Sequence, residues 1–562
     1  MKFKDFPYER IHFDAAADQL KQLMAEFQKA DTAAAQFAVH EQYYKLISHV
    51  RSMALLAEIR HSIDTSDQFY EAEKAFYDEN LPAFEHLEVQ YRGLLLLSPF
   101  RKELEQKIGG PAFCNIELAQ KATGEAAIPL MQEENALVTA YEKLLAGAKI
   151  DWEGKILNLA MMEPYLSNAN RDVRRLAAEK VNAYFESIAE ELDSLYDKLV
   201  KNRTAQAKAL GFETYTDLGY CRMQRNSYGR KEVEAFRSQI KKDFVPLAEK
   251  VWEKRRKRLG LSALYHMDEK VSFPQGSPAP TGTPEEILEA GRKMYRELSP
   301  ETGKFMDFML DGDLLDVLAR PHKQVGGYME WLPEWKAPFI FANFNGTSGD
   351  VDVITHECGH AFQGWLSGSD PVMEHSDLTM ETAETHSMSM EFFTNPWMNA
   401  FFGARADDFI TAQLEDAIVF VPYGCMVDEF QHIVYDNPDL TPKERKEAWQ
   451  QLEKTYKPHM KYEDVSSFYA GGGYWQRQHH IYSLPFYYID YVIAQTDAFQ
   501  YKAWMQKDYQ AAWKSYLGFC RASASDFFVP MLKKAGLASP FEAGTLSQIA
   551  KEIGALCGVT EA

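Results

Sequence analysis

Cysteine is scarce and scattered: six residues, at 114, 221, 358, 425, 520 and 557, with no C-x-x-C pair among them. That distribution excludes a disulfide framework and a cysteine-based metal module, and it implies reduced thiols in a reducing, cytoplasmic setting. No run of about 18 apolar residues stands out to span a membrane. The charged N-terminus, MKFKDFPYERIHFD, lacks the apolar segment of a secretory signal. Basic residues are outnumbered, 61 against 82 acidic, for a formal charge of -21. Such a balance disfavours nucleic acid and anionic membranes as partners. The one basic run, Lys254-Arg255-Arg256-Lys257-Arg258, lies in a helical stretch and is read as a solvated face. Glycine, proline and β-branched runs are sparse between residues 14 and 270, and the chain shows neither internal repeats nor low-complexity tracts.

What is present is mostly helical pattern. In RDVRRLAAEKVNAYFESI, the residues Val173, Ala177, Val181, Tyr184 and Ile188 fall on one face and charged residues elsewhere, the mark of a helix packed on other helices. Aromatics reach 13%, most of them expected in the core. The clearest break is FPQGSPAPTGTPEE, residues 273 to 286, where proline and glycine exclude regular structure. A helix restarts there with Thr283 as cap, Pro284 in the first turn and Glu286 closing a capping box; Thr441-Pro442-Lys443-Glu444 repeats the device. Between 325 and 350 the pattern changes, and FIFANF, bounded by Pro338 and Asn345-Gly346, is the best strand candidate. Thr347 and Asp350 are expected to cap the helix that follows. The fold class expected is therefore mostly α, with a small β-sheet beside that helix.

That helix carries THECGHAFQG, residues 355 to 364. Residues i and i+4 of a helix stand one above the other, so His356 and His360 can present two imidazole nitrogens to one ion. Glu357, about 100° further round, suits a general base acting on a water at that ion. A catalytic zinc site needs one more protein ligand and leaves one position for water. Downstream, LTMETAETHSMSMEFF offers Glu381, Glu384 and Glu391, plus His386, and spacing alone does not choose among them. Cys358 reads as a small buried residue.

His356-Glu357-Cys358-Gly359-His360 followed by Glu384 in ETAETHSMSMEFF resembles the thimet-oligopeptidase-like zinc peptidases, most closely their oligoendopeptidase F and Pz-peptidase branch. The likeness runs from RTAQAKALGFETYTDLGY near residue 200 through PFIFANFNGTSGDVDVITHECGHAFQ to the Tyr-rich segment near 490. The resemblance implies Glu384 as third ligand of one Zn2+, with Glu381 and Glu391 able to orient the histidines. It implies a large helical body around a deep substrate channel, with an N-terminal helical region over 1–200 and a catalytic region over 201–562 in one continuous body. It also implies that Phe339 to Phe344 is an edge strand on which a peptide adds as a further strand, through Phe341, Ala342 and Asn343.

A hydrolase of this kind also needs donors for the oxyanion. FYAGGGYWQRQHHIYSLPFYYIDY, residues 468 to 491, joins Gly471, Gly472 and Gly473 to histidines and tyrosines. Consecutive glycines suit a loop that moves over substrate, or an ordinary tight turn. The resemblance assigns substrate and transition-state contacts to His480, Tyr482 and Tyr488, with His479 and Tyr491 nearby. The expected function is a zinc endopeptidase acting on short peptides, with Glu357 as base. The alternatives are a zinc carboxypeptidase or dipeptidyl carboxypeptidase, and a non-catalytic helical peptide-binding protein. Side-chain preference and oligomeric state are not legible.

Overall fold

The computed structural model describes residues 1–320, 322–324 and 326–560. Helices carry most of the chain, from Phe13–Lys29 and Ala33–Ile63 to Thr545–Leu556, so the mostly α expectation holds. Many begin where a short polar side chain can accept a backbone N–H. Thr283 and Thr441 cap as expected: each hydroxyl accepts from the backbone of Glu286 or Glu444 at 3.3 Å, and the glutamate returns the bond to the cap's own N–H. Such caps stabilise a helix by about 1 kcal/mol each.

Two compact units make up the chain, each built from three separated segments. The first comprises Met1–Gln120, Ala279–Ala406 and Trp504–Leu537; the second comprises Lys121–Pro278, Asp407–Ala503 and the segment from Ala538. The boundary expected at 200/201 falls inside the helix Ala189–Ala209, where continuous backbone hydrogen bonding leaves no linker. The stretch 273–286 does contain a crossing between units, at 278/279.

In the first unit the helices Phe13–Lys29, Ala33–Ile63 and Gln68–Leu97 pack on one another around Leu20, Phe27, Ile47, Phe84 and Tyr91. Its strands form one sheet. With the second unit's hairpin of β1 (Ile150–Trp152) and β2 (Lys155–Leu157) numbered first, they are β3 (Leu315–Leu318), β4 (Tyr328–Leu332) and β5 (Ala337–Phe344), in the order β3-β5-β4. β5 runs parallel to β3 and antiparallel to β4. Its continuous apolar run is buried on both faces, as a central strand requires.

In the second unit the helix Arg171–Ser187 has its buried stripe rotated from the expected one, onto Arg174, Ala177, Ala178, Val181, Asn182 and Phe185. Arg174 is drawn inward because its Nη2 donates to the buried Asp268 at 2.8 Å. The basic run is likewise less exposed than expected: Arg255 is buried against Glu415 and Asp416, and Arg258 also pairs with Glu415. By length and composition one helical stretch, Asn399–Asp436, is apolar enough to cross a membrane, which the sequence reading did not single out. Within the second unit its Ile418, Val421, Met426, Phe430 and Val434 are buried, and so are the charged Glu415 and Asp428, each ion-paired to arginine. That pattern fits a core helix.

Candidate metal centre

β5 ends at Phe344, and a short turn leads into the helical run that carries the motif. The expected cap of Thr347 and Asp350 does not form: Ser348 occupies the cap position with no side-chain bond. Asp350 is buried and instead reaches back, accepting from the backbone N–H of Asn345 and of Gly346, both at 2.8 Å. One carboxylate thereby ties the strand end to the helix start. The helical run begins as Gly349–Asp352, widens into a π-turn over Val353–Glu357, and continues as the motif helix Cys358–Ser367. A π-turn inserts an extra residue into the helical ladder and recurs at functional sites. Here it contains His356 and Glu357.

The motif helix lies against both the sheet and the ligand helix, Met380–Phe393. Two glycines make this possible. A Cβ at Gly368 would stand 2.6 Å from the Trp331 ring of β4, and one at Gly359 would stand 2.7 Å from the Cα of Ser387. Gly359, inside the motif itself, lets two helix backbones approach closely enough to bring Glu384 to the histidines.

The Oε2 of Glu384 lies 3.4 Å from Nε2 of His356 and 3.6 Å from Nε2 of His360, and the three ligand atoms all fall within 4.8 Å of one another. Tetrahedral zinc with bonds of about 2.0–2.1 Å places its ligand atoms roughly 3.4 Å apart, so the donor set fits. Two of the three donors are held by neighbouring side chains. Oε1 of Glu391 is 2.7 Å from Nδ1 of His356, which fixes the ring and leaves Nε2 as the ligand atom. Ser387 donates to Oε2 of Glu384 at 3.1 Å. Burial disfavours protonation of His356, but the bonds to Glu384 and Glu391 overcome it and hold the imidazole well above its ordinary range. His360 is pushed below that range, by burial first and by the neighbouring imidazole as well. Glu381 is buried one turn before Glu384.

Glu357 is half-buried directly after the first ligand. Cys358 is fully buried and its thiol is pushed up by burial, so it is a packing residue, as expected. His386 is fully buried, and desolvation pushes its pKa down to about 3. It is a neutral core residue.

β5, expected as an edge strand, is the central strand of its sheet: Phe341 is paired on both sides, whereas Ala342 and Asn343 lie past the end of the β4 ladder, at an irregularity in the β3 ladder. The Phe341 ring stacks on Tyr328 at 4.9 Å, the Ala342 carbonyl accepts from Lys323 at 2.5 Å, and the Asn343 amide donates to the carbonyls of Gln324 and Gly326. Those groups are committed to the fold, and the sheet's edges are β3 and β4.

In the second unit, Gly471 is exposed, whereas Gly472 and Gly473 are buried in the turn Tyr469–Gly473. Gly472 has φ of 87°, and its Cβ would lie 2.4 Å from the Lys446 carbonyl. This glycine is demanded by conformation and close approach. His480 packs edge-on to Tyr488 at 5.0 Å and to Tyr491 at 5.9 Å, with Tyr487 at 5.7 Å. Tyr423 donates to Oε1 of Gln478, whose amide donates to Nδ1 of His480 at 2.9 Å. With Nδ1 accepting from that amide, Nε2 is the ring nitrogen left to donate. His479 is exposed and pairs with Glu142 at 3.0 Å. Tyr482 is fully buried, stacked on Tyr141 at 3.8 Å, and its hydroxyl donates to the Leu192 carbonyl at 3.2 Å. It is a core residue, so its expected catalytic role is withdrawn.

The sequence reading missed Ser387, Tyr423 and Gln478, and it gave Asp350 a capping role in place of its tie to the turn. Only Ser387 had a signal, standing one helical turn after Glu384.

Comparison with known proteins follows the same residues. The sequence matches the Peptidase M3 N-terminal domain over 3–123 and Peptidase family M3 over 164–280 and 302–551. It is 21% identical to oligopeptidase PepF of Bacillus subtilis (strain 168) over 379 residues, 66% of this chain, and spans 55% of that relative. Among solved structures, Pz peptidase A with an inhibitor is 43% identical, with a TM-score of 0.94 over 100% of both chains. A chain provisionally assigned as oligoendopeptidase F is also 43% identical, with a TM-score of 0.93 over 100% of this chain and 99% of that one.

Proposed function

Since the chain belongs to peptidase family M3, we propose that it is a zinc-dependent endopeptidase that hydrolyses internal bonds of short peptides. The observation that carries this is the triangle of His356, His360 and Glu384, closed at 3.4 and 3.6 Å, with Glu357 next to the first ligand. Zinc bound there would polarise the scissile carbonyl and lower the pKa of the attacking water. Glu357 takes the proton of that water and passes it to the leaving amine. Glu391 and Ser387 keep His356 and Glu384 aimed while charge moves. His480, a donor through Nε2, and Tyr488 are the proposed donors to the oxyanion. A peptide that adds as a strand would use the outer edge of β3 or β4, because β5 lies between them.

The test is Glu357→Gln, with zinc measured alongside cleavage of a peptide blocked at both ends. Zinc is expected to stay bound while hydrolysis falls by about 10²–10⁴-fold, as for loss of a general base. Unchanged hydrolysis would remove Glu357 from its role. Mass spectrometry of the wild-type products should show internal cleavage of the blocked peptide; resistance of that peptide, with trimming of its unblocked form, would establish a carboxypeptidase instead.

A further inference from the structure

The second unit holds a cavity of about 40 Å³ that the proposed chemistry does not use. Arg477, Lys270, His266, Glu269, Tyr469 and Tyr474 line it. Its charges do not balance. Lys270 is paired with Glu163, and Glu269 with Lys457 at 2.9 Å, so both nearby carboxylates are taken. Burial holds His266 neutral, down to about 4. Arg477 has no carboxylate within ion-pair range among the described residues; its guanidinium rests 5.3 Å from the centre of the Tyr474 ring. A guanidinium so placed keeps its fork of donors available for a planar anion. Beside it the Tyr469 hydroxyl, on a residue only 1% exposed, makes no hydrogen bond of ordinary geometry. The Arg477 guanidinium lies close to that hydroxyl, so two donors face one space and a ligand oxygen placed there would satisfy both.

Size and position narrow the ligand. A water takes roughly 10–15 Å³ of such space, so the cavity admits about three heavy atoms, the size of a carboxylate. It also adjoins the His/Tyr cluster: Tyr474 meets Tyr423 at 6.1 Å, Tyr423 meets Tyr488 at 5.9 Å, and Tyr488 meets His480 at 5.0 Å. We propose that this cavity is a carboxylate subsite, in which Arg477 and the Tyr469 hydroxyl receive a carboxylate of the bound peptide, so that peptides are selected by where they carry negative charge. This rests on the reading of the chain as a peptide hydrolase.

Calorimetry on the zinc-loaded Glu357→Gln chain tests it with three peptides of one length and sequence: a C-terminal acid, the corresponding amide, and an amide whose last side chain is glutamate. At least one carboxylate-bearing peptide should bind about tenfold to a hundredfold more tightly than the plain amide, and which one does so separates a chain terminus from a side chain. Adding Arg477→Gln should erase that advantage and leave the plain amide unchanged, which also controls for folding. Arg477→Lys should keep only part of it. Equal binding of all three peptides overturns the proposal, and so does an Arg477→Gln chain that binds all of them equally weakly. Acetate titrated alone distinguishes a free anion from a peptide group, and acetate binding as tightly as the acid peptide also overturns the proposal. Failure of the wild-type chain to hydrolyse any peptide would defeat the hydrolase reading while leaving this discrimination measurable.

Discussion

The metal centre and the His/Tyr cluster are built by different means. His356, His360, Glu384 and Glu391 lie within 35 positions of one another, on two helices that cross at Gly359. The cluster takes its order from distant chain: Tyr482 is anchored to Leu192, 290 positions away, and His480 is oriented through Gln478 by Tyr423, which precedes Gln478 by 55. Helical periodicity brings ligands together almost without help, whereas a tyrosine-rich segment acquires its roles only from what packs around it.

The sharpest way to break this contrast is Gly359→Val, which alters no ligand. Its Cβ would collide with the Ser387 backbone, so overpacking should cost about 1–3 kcal/mol and part the helices. Zinc binding should weaken by more than the roughly 10–100-fold typical of losing an outer-shell partner. Thermal melting and zinc titration check both.

In the cluster the corresponding change is His480→Ala. Loss of this proposed oxyanion donor should lower kcat by about 10²–10³-fold and leave zinc content untouched. A fall in zinc alongside kcat would contradict the separation.

Glu391→Gln should give the intermediate effect, a drop in zinc affinity of about 10–100-fold, because the amide orients His356 less firmly than the carboxylate. Competition with a chelator reads this directly.

Smallest of all is Tyr482→Phe. Removing a hydroxyl that donates to the Leu192 carbonyl in the core should cost about 1 kcal/mol of stability and leave kcat within a few-fold. A catalytic loss as large as that of His480→Ala would restore Tyr482 to the chemistry.

Much of the centre was legible because the relevant distances are short along the chain. Two histidines four residues apart share a helix face, and Glu384 was chosen by resemblance once spacing had left Glu381 and Glu391 open. The capping boxes at Thr283 and Thr441 were legible for the same reason, since their partners stand three residues apart. FIFANF was correctly a strand, but nothing in an apolar run says whether it is central or at an edge. That depends on β3 and β4, whose own sequences carry weaker signals. Tyr482 and Tyr488 read alike in sequence, yet one is sealed in the core and the other half-exposed beside His480.

The sequence by itself determined the helical class, the candidate metal-ligand pair, the glutamate proposed as base beside it and the helix starts at Thr283 and Thr441, since each depends on contacts within one or two turns. Tertiary structure alone decided that β5 is central and that Asp350 ties back to the turn it was expected to cap. It also decided that Gly359 admits a second helix, that Tyr482 is core, and that Arg477 stands without a carboxylate partner. Those outcomes depend on which distant side chain fills each space, and helical or strand periodicity carries no information about a neighbour contributed from hundreds of residues away.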